Sequence, residues 1–229
     1  MHKTWLWWSS GKDSAWALHL LRKGGEYSVD ALVTSVNAAA DRVAVHAVRR
    51  SLLEAQGEAL GLPIHVMALP YPCPNEAYEA AATDIIRRAE KAGVTHMAFG
   101  DLFLEDVRAY REGLLSESGI ECVFPLWHRD TSKLARDIVD AGVSAYLTCV
   151  DPKVLPPEFA GRRYSSELLS ELPDGVDPCG ENGEFHTFVS DTPDFAAPLA
   201  VELGERVERD GFWFADVLPV TEPGGRAGS

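Results

Sequence analysis

Short apolar runs alternate with helix-like segments over the first half of the chain, and this alternation limits the fold more than any other feature. Thr4–Trp8, Val29–Val36, Ile64–Leu69 and Val94–Phe99 read as strands. Asp13–Arg22, Val45–Leu60, Glu76–Ala92 and Leu104–Ser116 read as the helices between them. A β-α-β-α rhythm predicts an α/β fold with a doubly wound parallel sheet and helices on both faces. Gly61-Leu62-Pro63 and Ala92-Gly93-Val94 each put a glycine where a helix should stop and the next strand begin. After Cys122–Phe124 the texture changes. Leu134–Ala141 and Ala145–Val150 extend the pattern once more, and Asp151–Pro178 is rich in Pro, Gly and charge. Val201–Val217 reads as two antiparallel strands around Arg209-Asp210-Gly211. The predicted organisation is an α/β domain over 1–124, a smaller α+β domain over 125–222, and a disordered Gly-rich tail over 223–229.

The segment WLWWSSGKDSA, Trp5–Ala15, carries the most chemistry. Ser9, Ser10, Gly11 and Lys12 lie between the first strand and a helix starting near Asp13. Small residues let backbone approach an anion, the free N–H groups of a helix start point at it, and Lys12 adds positive charge. Ser14 adds a further hydroxyl. A Walker A loop is excluded: Leu6 stands where that motif needs Gly, and Asp13 instead of Ser or Thr follows the lysine. An Asp beside bound phosphate implies a bridging cation, so Asp13 is a candidate Mg²⁺ ligand. As a simple helix start, the same residues would make Asp13 or Ser10 the N-cap.

Two more clusters follow. In FGDLFLEDVRAYRE, Phe99–Glu112, Gly100 and Asp101 leave the sheet at the edge that carries the first loop, because parallel strands share their carboxyl ends. Asp101 is the second candidate for Mg²⁺, and Arg108 and Arg111 suit phosphate or a carboxylate substrate. In DPCGENGEFHTFVSD, Asp177–Asp191, Glu181 and Glu184 flank Asn182-Gly183, and His186 and Thr187 follow. A loop so polar suits an exposed site. His46, Arg49 and Arg50, at i, i+3 and i+4 of the predicted helix, share one face and are candidate contacts to an anionic substrate.

SSGKDS resembles the PP-loop, SGGxDS, of the N-type ATP pyrophosphatases, with Ser10 in place of the first glycine. Together with LLEAQGEALGLP at Leu52–Pro63, GDLFLEDVR, FPLW at Phe124–Trp127 and GENGEFHTF, it resembles the diphthine–ammonia ligase (diphthamide synthetase) family over nearly the whole chain. The resemblance implies ATP as cofactor, with AMP attached to a carboxylate, pyrophosphate released and ammonia as the second substrate. It implies that Glu181, Gly183, Glu184 and Thr187 belong to the active site. It also implies that the adenine lies against the end of the second strand near Thr34. Ser9, Ser10, Gly11, Lys12, Asp13, Ser14, Gly100 and Asp101 would then hold the nucleotide and Mg²⁺. Lys12, Asp13, Glu181, Glu184 and His186 would serve catalysis; His46, Arg49, Arg108, Arg111, Gly183 and Thr187 would hold the acceptor. The diphthamide-forming branch tends to have Glu at the place of His186. An imidazole accepts a proton near pH 7 far better than an ordinary glutamate. That histidine and the surplus of arginines predict a small free acid or amino-acid derivative as acceptor, ahead of the modified histidine of elongation factor 2.

Composition bounds the alternatives. With 21 Lys+Arg against 35 Asp+Glu, a net charge of −14 disfavours a broad grip on nucleic acid. No apolar stretch suits a membrane span: the longest run without Lys, Arg, Asp or Glu, Ala59–Asn75, is broken by four prolines. Cys73, Cys122, Cys149 and Cys179 form no CxxC, which fits free thiols in a reducing cytoplasm. The acidic charge and missing CxxC count against another PP-loop reaction such as tRNA thiolation. A non-catalytic adenine-nucleotide sensor would need the first loop but not the third cluster. A homodimer is compatible with all of this.

Overall fold

The computed structural model describes residues 1–220. The predicted tail over 223–229 lies outside the described residues. β1 (His2–Trp7), β2 (Tyr27–Asn37), β4 (Ile64–Leu69), β5 (His96–Ala98) and β6 (Glu121–Val123) form a parallel sheet, with a short β3 (Arg42–Val43) antiparallel to the end of β2. The parallel order is β4-β2-β1-β5-β6. Growth runs outward from β1 to β2 and β4, then resumes on the other side with β5. The carboxyl ends of β1 and β5 therefore flank the switch point, where doubly wound sheets bind ligands.

The sheet is buried on both faces, so its strands are nearly continuously apolar. Alternation along β1 still sorts the side chains. Leu6, and Trp8 just beyond the strand, join the cluster containing α1 (Lys12–Gly24) and α2 (Arg50–Leu60). Trp5 joins Ala31, Val33 and Met67 against Ala82, Ile85 and Ala89 of α3 (Asn75–Lys91). Gly25 and Gly61 end α1 and α2 with φ of 70° and 66°, the left-handed conformation that stops a helix cheaply with glycine. Between β5 and β6 runs α4 (Glu105–Leu115).

After β6 come α5 (Thr131–Asp140), β7 (Ser144–Val150), α6 (Ser166–Glu171), β8 (Phe185–Asp191), β9 (Val201–Arg209) and β10 (Phe212–Pro219). Their sheet is antiparallel, in the order β8-β7-β10-β9. The β9–β10 turn, Asp210-Gly211, has φ of 51° and 81°, the handedness that matches strand twist in a tight hairpin. Phe185, Phe188 and Val189 of β8 pack into the cluster that holds Leu6, Trp8 and Leu18. Each such side chain contributes roughly 1.5–3 kcal/mol on burial. One core thus joins the two sheets and fixes β8 beside the start of α1. Among the described residues no helix is long and apolar enough to cross a membrane.

The helix expected over Val45–Leu60 begins only at Arg50. Residues 44–49 form a turn in which Val45 and Ala47 have φ of 65° and 55°. Arg42 explains it: the guanidinium donates to the Ala47 carbonyl at 2.7 Å and to Asp216 of β10 at 2.9 Å. Arg49 binds the same carboxylate. That tertiary clamp overrides the local helical pattern. His46, Arg49 and Arg50 therefore do not share a helical face.

Candidate active site

A cavity of about 540 Å³ opens at the carboxyl ends of β1 and β5 and is closed on one side by β8. Its walls include Ser9, Lys12, Asp13 and Ser14 from the first loop, and Gly100, Asp101 and Arg111 from the second. Glu181, His186 and Thr187 come from the third, and His46 from the turn before α2. The three sequence clusters thus converge on one space.

The N-cap of α1 is Gly11, neither Ser10 nor Asp13, and no side chain caps the helix. Instead Thr187 of β8 accepts from the Lys12 amide at 3.1 Å, and Ser14 Oγ returns a bond to the Gly11 carbonyl at 2.9 Å. Ser10 takes φ of 70° despite its side chain. Gly11 is needed for space: a Cβ there would lie 2.9 Å from His46 Cε1 and 3.0 Å from the Thr187 carbonyl oxygen. Gly100 likewise lets β5 approach the loop, because its Cβ would lie 3.2 Å from Asp13 C and Ser14 N.

One contributor was missed at the level of sequence. Gln56 is fully buried on α2. Its amide oxygen accepts from Trp8 Nε1 at 2.9 Å, and its nitrogen donates to the carbonyls of Ser10 at 3.1 Å and Val189 at 2.7 Å. The signal was a polar residue on the apolar stripe of a helix, inside LLEAQGEALGLP, where burial requires partners.

Lys12 is buried, and its ammonium sits over the Tyr164 and Phe185 rings at 5.3 and 5.2 Å. It donates to Asp13 Oδ2 at 2.9 Å and to the Cys179 carbonyl. Burial works against its charge, yet Asp13 and the neighbouring acidic groups outweigh that and hold its pKa above the usual lysine value. Asp13 is raised, chiefly by burial, with Lys12 opposing. Asp101 is raised by burial too, with Arg111 opposing at 3.6 Å. Asp13 Oδ1 and Asp101 Oδ2 are buried without a hydrogen-bond partner. Among the described residues no three His, Cys, Asp or Glu side chains gather as a ready-made metal site. Mg²⁺ characteristically takes one or two carboxylates and completes its shell with substrate phosphates and water. The two orphaned oxygens fit that donor set.

Glu181 accepts from the Leu102 amide at 2.7 Å, which ties the third cluster to the second. Burial pushes its carboxyl up to about 7, with the Leu102 bond opposing and Asp13 and Asp101 assisting. Glu184 is buried, takes bonds from the Asp177 amide and the Asn182 side chain, and leaves Oε2 unpartnered. His46 and His186 face each other at 4.7 Å between ring centroids. Burial lowers His46 to about 4, and lowers His186 well below its usual value with help from His46 and Lys12. His186, expected to accept a proton near pH 7, is thus held as a neutral ring by burial, while burial raises the Glu181 carboxyl. His46 Nδ1 lies 2.9 Å from the Thr187 carbonyl oxygen, which requires that nitrogen to carry the hydrogen.

Other candidates lie further out. Thr34 is buried and donates to the Trp8 carbonyl at 2.8 Å. Gly183 forms a half-buried turn with φ of 88°. Of the arginines, Arg111 lines the cavity, bonded to Tyr78 and stacked against Trp7 and Phe99. Arg49 is engaged by Asp216, Arg50 by Glu54, and Arg108 by Glu112 with its guanidinium over Phe124 and Trp127. Their number does not translate into free anion-binding groups.

Comparison with known proteins adds to this geometry. Residues 2–122 match the family model of the diphthamide synthase N-terminal domain, and residues 130–218 match that of the diphthamide synthase C-terminal domain. The diphthine–ammonia ligase of Danio rerio is 25% identical over 230 residues, covering 91% of this chain and 90% of that protein. That of Homo sapiens is 27% identical over 135 residues, covering 56% of this chain and 50% of the human protein. That of Schizosaccharomyces pombe is 30% identical over 106 residues, covering 42% of this chain and 17% of its own length. The matched part thus spans about half of the human relative and a smaller share of the yeast one. Because the two family models account for the parallel-sheet half and the antiparallel-sheet half in turn, this chain belongs to the diphthamide synthase family.

Proposed function

We propose that the chain is an ATP-dependent ligase that joins ammonia to a carboxylate as an amide, as the names of its relatives suggest, and that it forms AMP and pyrophosphate. One observation carries this reading. The loop at the start of α1 and Glu181, a carboxyl that burial pushes up to about 7, open into the same cavity. The first suits a polyphosphate and the second a proton transfer. An acceptor carboxylate oxygen attacks the α-phosphorus; the bond to the bridging oxygen breaks, and pyrophosphate leaves. Ammonia then attacks the activated carbonyl carbon, the AMP oxygen departs with the bonding pair, and the surplus proton passes to Glu181. Asp13 and Asp101 would hold Mg²⁺, which would supply charge neutralisation at the leaving pyrophosphate. Lys12 balances Asp13 and ties the loop to Cys179. The neutral His46–His186 pair lines the acceptor side and repels no ammonium.

The arginine surplus that favoured a small free acid is mostly consumed by internal pairs. The preferred acceptor is therefore the diphthine carboxylate that the relatives' name specifies. Free thiols suit a reducing cytoplasm for the reaction.

Purified protein with ATP, Mg²⁺ and ammonia should release AMP and pyrophosphate when the acceptor is present. ADP and phosphate as products would overturn the proposal, and tight ATP binding without turnover would favour a sensor. Labelled ammonia, offered with diphthine-bearing elongation factor and with a metabolite extract in parallel, should enter the elongation factor. Label confined to a small acid would restore the other acceptor class.

A further inference from the structure

We propose that Gln56 is a positioning residue that forces Ser10 into the left-handed backbone conformation and so shapes the phosphate loop. The inference rests on the reading of that loop as the nucleotide cradle. Left-handed backbone is disfavoured for a residue with a side chain and nearly free for glycine. Ser10 sits there at φ 70°, fully buried, and its hydroxyl has no hydrogen-bond partner. The serine side chain therefore makes no hydrogen bond to offset the strain. The carbonyl of Ser10 is gripped instead, by Gln56 Nε2 at 3.1 Å and by the Val189 amide at 2.9 Å.

Gln56 is suited to this because its amide is used up. It accepts one bond from Trp8, at the end of β1, and gives its two hydrogens to the carbonyls of Ser10 and Val189. It spans the entry to the loop, the strained residue and the strand that closes the cavity. It does not line the cavity. Its influence on a ligand therefore passes through the residues it bonds, of which Ser10 is the strained one. A glycine at position 10 would hold the same conformation without being forced, so dependence on Gln56 should vanish in the Ser10→Gly background.

The test is a double-mutant comparison of Gln56→Glu in the wild-type and Ser10→Gly backgrounds. Gln56→Glu keeps volume and the acceptor for Trp8 but removes the donated pair. Hydrogen exchange of the segment 9–14, measured without nucleotide, should quicken about tenfold, and the ATP dissociation constant should rise about tenfold. In the Ser10→Gly background both effects should fall below about threefold. If Gln56→Glu does not fold, Gln56→Asn, which withdraws the amide by one methylene, gives the same comparison. Unchanged exchange in a folded variant overturns the proposal. So does an equal loss in both backgrounds, which marks a packing role only. If exchange behaves as expected but the wild-type protein does not bind ATP, the nucleotide reading fails and the role of Gln56 stands.

Discussion

A methyl group on Gly11 would meet His46 Cε1 at 2.9 Å and the Thr187 carbonyl oxygen at 3.0 Å, and the second of these is backbone. Either the α1 start or β8 must give way. Overpacking of this kind typically costs 1–3 kcal/mol. Gly11→Ala is therefore expected to lower the melting temperature and weaken ATP binding together; normal values of both would show that the loop and β8 are not in contact. Lys12 supports a second prediction. Removing one partner of a buried ion pair leaves the other charge uncompensated, at about 3–5 kcal/mol. Lys12→Met should destabilise the protein strongly, and Lys12→Met/Asp13→Asn should recover part of the loss in thermal melts. No recovery would mean that Lys12 acts through the Cys179 carbonyl and its aromatic neighbours instead of through Asp13. At this scale the sequence was informative where structure is local: the strand–loop–helix start at Ser9–Ser14 does border the cavity. It was silent on Gln56 and misleading on His186. Burial decides both, and it comes from distant segments: Trp8, Ser10 and Val189 around Gln56, and His46 and Lys12 near His186.

Helices and strands were legible where periodicity and punctuation agreed. The Asp210-Gly211 turn and the glycine stop at Gly61 needed no tertiary information. The segment 44–49 was not legible, because Arg42 and Arg49 fold it by reaching Asp216, beyond position 200. Burial works against ionising Asp216, but the two guanidiniums outweigh it and hold its pKa below the ordinary range. Asp216→Asn keeps the shape and removes the charge. It should loosen the turn that carries His46 more than it loosens the fold, at about 1–2 kcal/mol for charge-assisted bonds that are partly exposed. The expected signature is a modest fall in melting temperature with faster hydrogen exchange over 42–49. Exchange unchanged there would assign the turn to other contacts.

At the scale of the whole molecule, the cavity gathers groups whose burial opposes their ionisation, and stability should record this as pH dependence. The sign differs between the two kinds of group. Glu181 ionises at about 4.5 when unfolded and about 7 when folded, so the folded state binds the extra proton and stability falls as pH rises between those values. Asp13 and Asp101 are raised as well and act in the same direction. His46 moves from 6.5 to about 4, so the unfolded state binds the extra proton and stability falls as pH drops through that window. His186 acts with it. The opposing slopes overlap between about pH 4.5 and 6.5 and partly cancel. Glu181→Gln removes one of them while its carbonyl oxygen still accepts from Leu102. The variant should melt higher than wild type at pH 8 and nearly equal to it at pH 4.5, and amide formation should fall. A stabilising change that costs activity is the expected mark of a site held in strain for function. Equal melting temperatures at pH 8 would show that the Glu181 carboxyl titrates as an ordinary glutamate and would remove it as the base.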